Sequence, residues 1–190
     1  MKNTFLLFVL FSILIGHSQN KSFVVKYIDT PIILDGKLDE SVWNEAESAT
    51  NFWQYFPTDS LQATQQANIK MLFDDTNLYI GMIVNAPSNN FVVPSLRRDF
   101  RAGGSDNITL MFDTFNDGTN AFIFGTNPAG VQREILLSGG GNELRGFNGA
   151  WDTKWRSETV VHDNYYTVEW IIPFSAFKYR EGETKWRFNS

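Results

Sequence analysis

The chain has 190 residues, 43% of them hydrophobic, with 16 Lys and Arg against 21 Asp and Glu, and no cysteine. That length builds one ordinary domain with a real core and is too short for two comfortable ones. A net charge of -5 without a basic run excludes nucleic acid as a partner, and the lack of cysteine excludes a disulfide scaffold and a lipid anchor on an amino-terminal Cys.

The opening residues read as an export signal. Lys2 supplies a positive start, Phe5 to Ile15 is almost wholly apolar, and Gly16 and Ser18 place small residues around a cleavage point after Ser18. An apolar run of about eleven residues falls short of the roughly twenty that a membrane-spanning helix requires. The expected organisation is therefore a signal at 1–18, a lead-in at 19–26 and one domain over 27–190.

Pro31 to Leu34 reads as a strand, Asp35-Gly36 as a turn, and Leu38 to Ala46 as a helix. Its Leu38, Val42 and Ala46, four apart, are expected to cover an end of the core. Strands follow. Ile69, Met71 and Phe73 alternate with Asn68 and Lys70, and Leu78, Ile80, Met82 and Val84 share a face after the turn at Asp74-Asp75-Thr76-Asn77. Asn107 to Asp113 and Tyr165 to Ile172 alternate in the same way. Ala121 to Thr126, Val131 to Leu137 and Trp155 to His162 complete the set. Turns are expected at Asn116-Asp117-Gly118, Asn127 to Gly130, Asp163-Asn164 and near Phe174 to Phe177.

This pattern specifies an all-β fold, an antiparallel β-sandwich of jelly-roll or immunoglobulin-like kind with one or two short helices. Each sheet should have one buried and one wetted face. An aromatic share of 15% agrees, since flat side chains pack well on a pleated surface. Longer loops over 86–105 and 138–150 are expected either to bind something or to be disordered. Lys185 to Asn189 reads as the start of a further strand, as in the front part of a longer protein.

The succession Ile33-Leu34-Asp35-Gly36 with Trp43, Phe73-Asp74-Asp75 with Leu78-Tyr79, Asp106 to Asp113, Phe124 to Asn127 and Tyr166 to Pro173 resembles family 9 carbohydrate-binding modules across about 27–189. Arg97-Arg98-Asp99, Asn127 to Gln132 and Trp151 to Trp155 resemble a narrower group, the amino-terminal domains of large bacterial envelope proteins. The resemblance implies a module in the periplasm or at the outer membrane. Its partners would be a glycan or oligosaccharide and the downstream region of the same chain, a membrane β-barrel. In the family's sugar binders two aromatics sandwich the ring. One sits just ahead of the Asp106 segment, where this chain has Gly103 and Gly104, and the other lies beyond Ser190. The arginine of those binders falls near Gly125.

Sugar rings offer CH faces to aromatics and hydroxyls to Asn, Asp, Arg and Gln. The residues with that chemistry are Trp151, Asp152 and Trp155; Arg97, Arg98 and Asp99; Asn127; and Trp53 with Tyr55. Strands running as a simple meander would put 86–105 and 127–130 at one end and 138–151 at the other. A single site would then need a loop folded across a face or a Greek-key crossing.

Structural calcium is an alternative at Asp113 to Gly118, but Phe115 holds the third position of that loop, so a hairpin turn is the favoured reading. Asp99, Asp106, Glu134, Asp152 and Glu169 show no spacing that sets two carboxylates across a glycosidic bond. The expected function is a non-catalytic carbohydrate-binding module. The alternatives are a domain docking to its own barrel, or an accessory domain of a glycoside hydrolase in carbohydrate catabolism.

Overall fold

The computed structural model describes residues 22–54, 57–58, 60–86, 88, 90–141 and 146–190. The expected signal segment and Tyr55 lie outside them. Strands β1 (Lys26–Tyr27), β2 (Ser48–Ala49), β3 (Ala67–Phe73), β4 (Asn77–Asn85), β9 (Arg156–Val161) and β10 (Tyr165–Pro173) form one sheet. Its order is β1-β3-β4-β10-β9, with β2 also on β3. Strands β5 (Ile108–Asp113), β6 (Ala121–Thr126), β7 (Gln132–Leu137), β8 (Phe147–Asn148) and β11 (Arg187–Asn189) form the second. There the order is β11-β5-β6-β7-β8.

The alternation read from the sequence faces the two sheets together. Ile69, Met71, Leu78, Ile80, Met82 and Val84 meet Ile108, Leu110, Phe112, Phe122 and Phe124 in one cluster, joined by Tyr166, Val168, Trp170 and Ile172. The expected terminal strand forms as β11, antiparallel to β5, and Phe188 stacks on Phe112.

The turn joining β3 to β4 is set by Asp74, whose Oδ1 accepts the backbone N–H groups of Thr76 (2.7 Å) and Asn77 (2.6 Å). Burial opposes ionisation of this carboxyl. The Tyr79 hydroxyl, which donates to Oδ2, and the two N–H groups outweigh that and hold it well below the usual carboxylate range.

Two expectations are corrected. The six-stranded sheet has no wetted face in its middle, because residues 28–46 lie across its outer side. Ile28, Ile32, Trp43 and Ala46 bury Leu72, Tyr79 and Ile171 in a second cluster. The helix is one turn, α1 (Val42–Glu45), and it sits on that face rather than at an end of the core. It stays short because Ala46 is already extended and the chain leaves at once to pair as β2 with β3. The two-residue β1 runs parallel to β3, while the other strand pairs are antiparallel.

The covering segment is held by a buried carboxylate. Glu169 is 1% exposed and accepts the N–H of Asp35 (3.1 Å), the N–H of Gly36 (2.9 Å) and the indole N–H of Trp43 (3.2 Å). Gly36 has φ +80°, and a Cβ there would lie 2.9 Å from Val160 Cγ2. Only glycine combines that backbone with so close an approach. The sequence landmarks Asp35-Gly36 and Trp43 are therefore anchors of the fold.

Candidate functional site

The chain changes sheets between β4 and β5, again between β8 and β9, and a third time between β10 and β11. On the second crossing it doubles back. After β8 pairs with the end of β7, the segment runs along the seam to Trp155, whose carbonyl accepts from Gln132 Nε2 (3.4 Å). The loop is thus folded across, and it unites residues that a meander would separate.

At the seam Glu134 projects inward and is 1% exposed. Arg98 donates to its Oε1 from Nε (3.1 Å) and from Nη2, and Trp155 donates its indole N–H to Oε2 (3.2 Å). Arg98 also donates through Nη1 to Gln132 Oε1 (2.6 Å) and through Nη2 to the Thr153 carbonyl (3.2 Å). Asp152 stands 3.5 Å from the same guanidinium and is itself exposed. Burial pushes the Glu134 carboxyl up, against the pull of Arg98 and Trp155. Arg98, Asp152 and Trp155 therefore come together: Glu134 accepts from Arg98 and Trp155, Gln132 accepts from Arg98 and donates to the Trp155 carbonyl, and Asp152 pairs with Arg98. Every nitrogen of the Arg98 guanidinium already donates to a protein acceptor.

The other expected residues are placed separately. Asp99, at φ 60°, donates its N–H to the Gln132 carbonyl (3.0 Å), and its Oδ1 accepts the Glu134 N–H (3.4 Å). It thereby lines the free side of β7. Arg97 is exposed beside it. Asn127 is fully buried, and its Oδ1 closes the turn by accepting the N–H groups of Ala129 and Val131. Trp151 is half-buried, edge-on to Phe122 and Phe124. Trp155 is buried between Phe124 and Trp170. Trp53 is exposed on the 50–66 segment, opposite Gln62.

A further arginine lies on the outer face of the five-stranded sheet, where Thr109, Gly125 and Arg133 are cross-strand neighbours. Arg133 lies over Gly125. A Cβ at 125 would come within 3.1 Å of Arg133 Cγ and 2.6 Å of Thr109 Oγ1. The guanidinium carbon is 5.7 Å from the centre of the buried Phe100 ring. Its Nε is buried without a partner, and among the described residues nothing accepts a hydrogen bond from this guanidinium. Burial lowers its pKa, with the Asp99 charge opposing. Sequence reasoning missed Arg133 because a charged residue alternating along a strand has the form of any solvated position. The loop that carries Phe100 continues through Gly103 and Gly104, whose Cβ directions point into open space.

Among the described residues no group of three His, Cys, Asp or Glu could hold a metal ion. The Asp113–Gly118 loop gives calcium no support. Asp113 accepts the N–H groups of Asp117 and Gly118, and Asp117 accepts those of Thr119 and Asn120, so the carboxylates close the turn. Beside the seam an open groove of about 730 Å³ is lined by Leu34, Leu96, Val131, Gln132 and residues 155–158.

The family described as carbohydrate family 9 binding domain-like matches residues 33–187. No curated protein matches the chain. Two solved structures of a family 9 carbohydrate-binding module from Caldicellulosiruptor kristjanssonii share the fold. The glucose complex is 18% identical over 86% of this chain and 73% of its own, with a TM-score of 0.56. The cellotriose complex is 20% identical over 86% and 72%, with a TM-score of 0.55.

Proposed function

The chain belongs to the carbohydrate family 9 binding domain-like proteins, and from that premise we propose a non-catalytic module that binds glycan on the outer face of its five-stranded sheet, around Arg133. The observation that carries this reading is the guanidinium of Arg133, half-buried, backed by Phe100 and without an acceptor among the described residues. A desolvated cation with free donors favours an oxygen-rich ligand, and paired sugar hydroxyls match its planar fork. The resemblance puts the family's arginine near Gly125, and here the neighbouring strand brings Arg133 over that glycine. Neutral glucose-type sugars, as bound by the two structural neighbours, are the first ligands to test.

The aromatic clamp is missing on the near side, where Gly103 and Gly104 stand, so binding should be weak. Calorimetry with cello-oligosaccharides and affinity gels containing soluble polysaccharides test the reading. Arg133→Ala should weaken binding about 10-fold or more, the loss expected for a charge-assisted hydrogen bond. Gly103→Trp, placed where nothing obstructs a side chain, should strengthen it roughly 2- to 10-fold by ring stacking. Retention on no glycan, or retention indifferent to both substitutions, would sink the proposal.

The same reading makes the module an exported one, at the front of a larger envelope protein. Lys2, the apolar Phe5 to Ile15 run and the resemblance to barrel-bearing proteins support it. Mass spectrometry of the protein from the periplasm should find Gln19 at the amino terminus; an uncleaved chain would contradict export by this route.

A further inference from the structure

Strand β9 forms one edge of the six-stranded sheet, and among the described residues no strand pairs with its free side. His162 N–H donates to the Tyr165 carbonyl (2.9 Å), closing the β9–β10 hairpin. Hydrogen-bonded pairs alternate in an antiparallel ladder, so 160 with 167, 158 with 169 and 156 with 171 bond to β10. The N–H and C=O groups of Ser157, Thr159 and Val161 therefore point outward. Such an edge is a template for another strand unless it is covered. The open groove of about 730 Å³ lies beside residues 155–158, with Leu34 toward the outer face and Leu96 and Val131 toward the other sheet. Leu96 is 74% exposed, an apolar side chain left uncovered at its rim.

The charges on this edge are self-complementary. Arg156 and Glu158 are two apart on the strand, so they share the outer face. Both are exposed, and neither is in an ion pair among the described residues. We propose that β9 pairs antiparallel with β9 of a second copy, about a two-fold axis at Ser157. That register puts Arg156 of each copy opposite Glu158 of the other, twice by symmetry. Opposite charges directly across an antiparallel pair are favourable, and like charges there are not. Ser157 meets its own copy in a reciprocal pair of backbone bonds, and two six-stranded sheets become continuous. A one-residue slip would set unlike faces together and lose both charge pairs.

Sedimentation of the mature chain over a concentration series into the millimolar range tests this without any sugar. The wild type should dimerise, less so as salt rises. Arg156→Glu alone and Glu158→Arg alone should each be monomeric, since each confronts like charges. The double variant R156E/E158R should dimerise again, and an equimolar mixture of the two single variants should form a heterodimer. Both positions are exposed, and circular dichroism checks that each variant is folded. A wild type monomeric throughout, a dimer untouched by the single reversals, or a mixture that stays monomeric would each overturn the pairing. None of these results bears on glycan binding at Arg133.

Discussion

Two buried glutamates, each receiving an indole N–H, decide how the loops attach to this sandwich. Trp43 donates to Glu169 and Trp155 to Glu134, both at 3.2 Å. Burial pushes the Glu169 carboxyl up to about 7, against the Asp35 and Gly36 N–H groups that favour its ionised form. A carboxyl raised on folding stabilises most below its unfolded pKa of about 4.5, and that contribution is lost as pH rises to about 7. Roughly 2 to 3 kcal/mol should therefore disappear between pH 4.5 and 7 on account of this group. Glu169→Gln should flatten the stability profile in that window, measured as urea midpoint against pH. It will not flatten it fully, because Glu134 is shifted the same way. An unchanged slope would show that the donors keep Glu169 ionised throughout.

Arg98 is the corresponding test for Glu134. Removing it leaves a buried carboxylate with one indole donor. Arg98→Ala should cost roughly 2 kcal/mol, below the 3–5 of a wholly enclosed pair because water still reaches this guanidinium. Replacing Glu134 by Gln in the same chain should recover part of that loss. If the two substitutions simply add, the pair contributes no coupling.

At the scale of elements, the strands were legible and the layers over them were not. Period-two alternation marked Ile69 to Phe73, Leu78 to Val84, Ile108 to Phe112 and Tyr166 to Ile172, because each repeats one apolar face against solvent or loop. The opposite face misled. In Thr167-Val168-Glu169-Trp170 the sequence alternates polar and apolar, yet Glu169 is as buried as Trp170. Its partners at 35, 36 and 43 are more than 120 residues away, and no local pattern encodes them. Arg98 and Trp155 were legible as chemistry but not as a pair, because their meeting depends on the segment after β8 doubling back. Arg133 was illegible for the opposite reason: its neighbours Gly125 and Phe100 are ordinary residues until the sheet and loop stack them.

At the scale of the whole molecule, one sheet lies between two apolar clusters. Leu72 and Ile171 face the outer cluster while their chain neighbours Met71 and Ile172 face the inner one. The backbone of β3, β4 and β10 is therefore common to both, and losing either cluster exposes strands that the other needs. Without disulfides, no covalent cross-link holds the outer segment in place once those strands part. The two clusters should unfold as one cooperative unit, with far-ultraviolet circular dichroism and tryptophan fluorescence giving coincident urea transitions. Trp43 is 1% exposed, and Trp43→Ala should lower stability by about 3 to 5 kcal/mol while keeping a single transition. Its probes should still coincide, because the cavity weakens the shared strands rather than a separable flap. A fluorescence change preceding the loss of sheet signal would instead mean that residues 28–46 peel away first, leaving the sandwich folded beneath them.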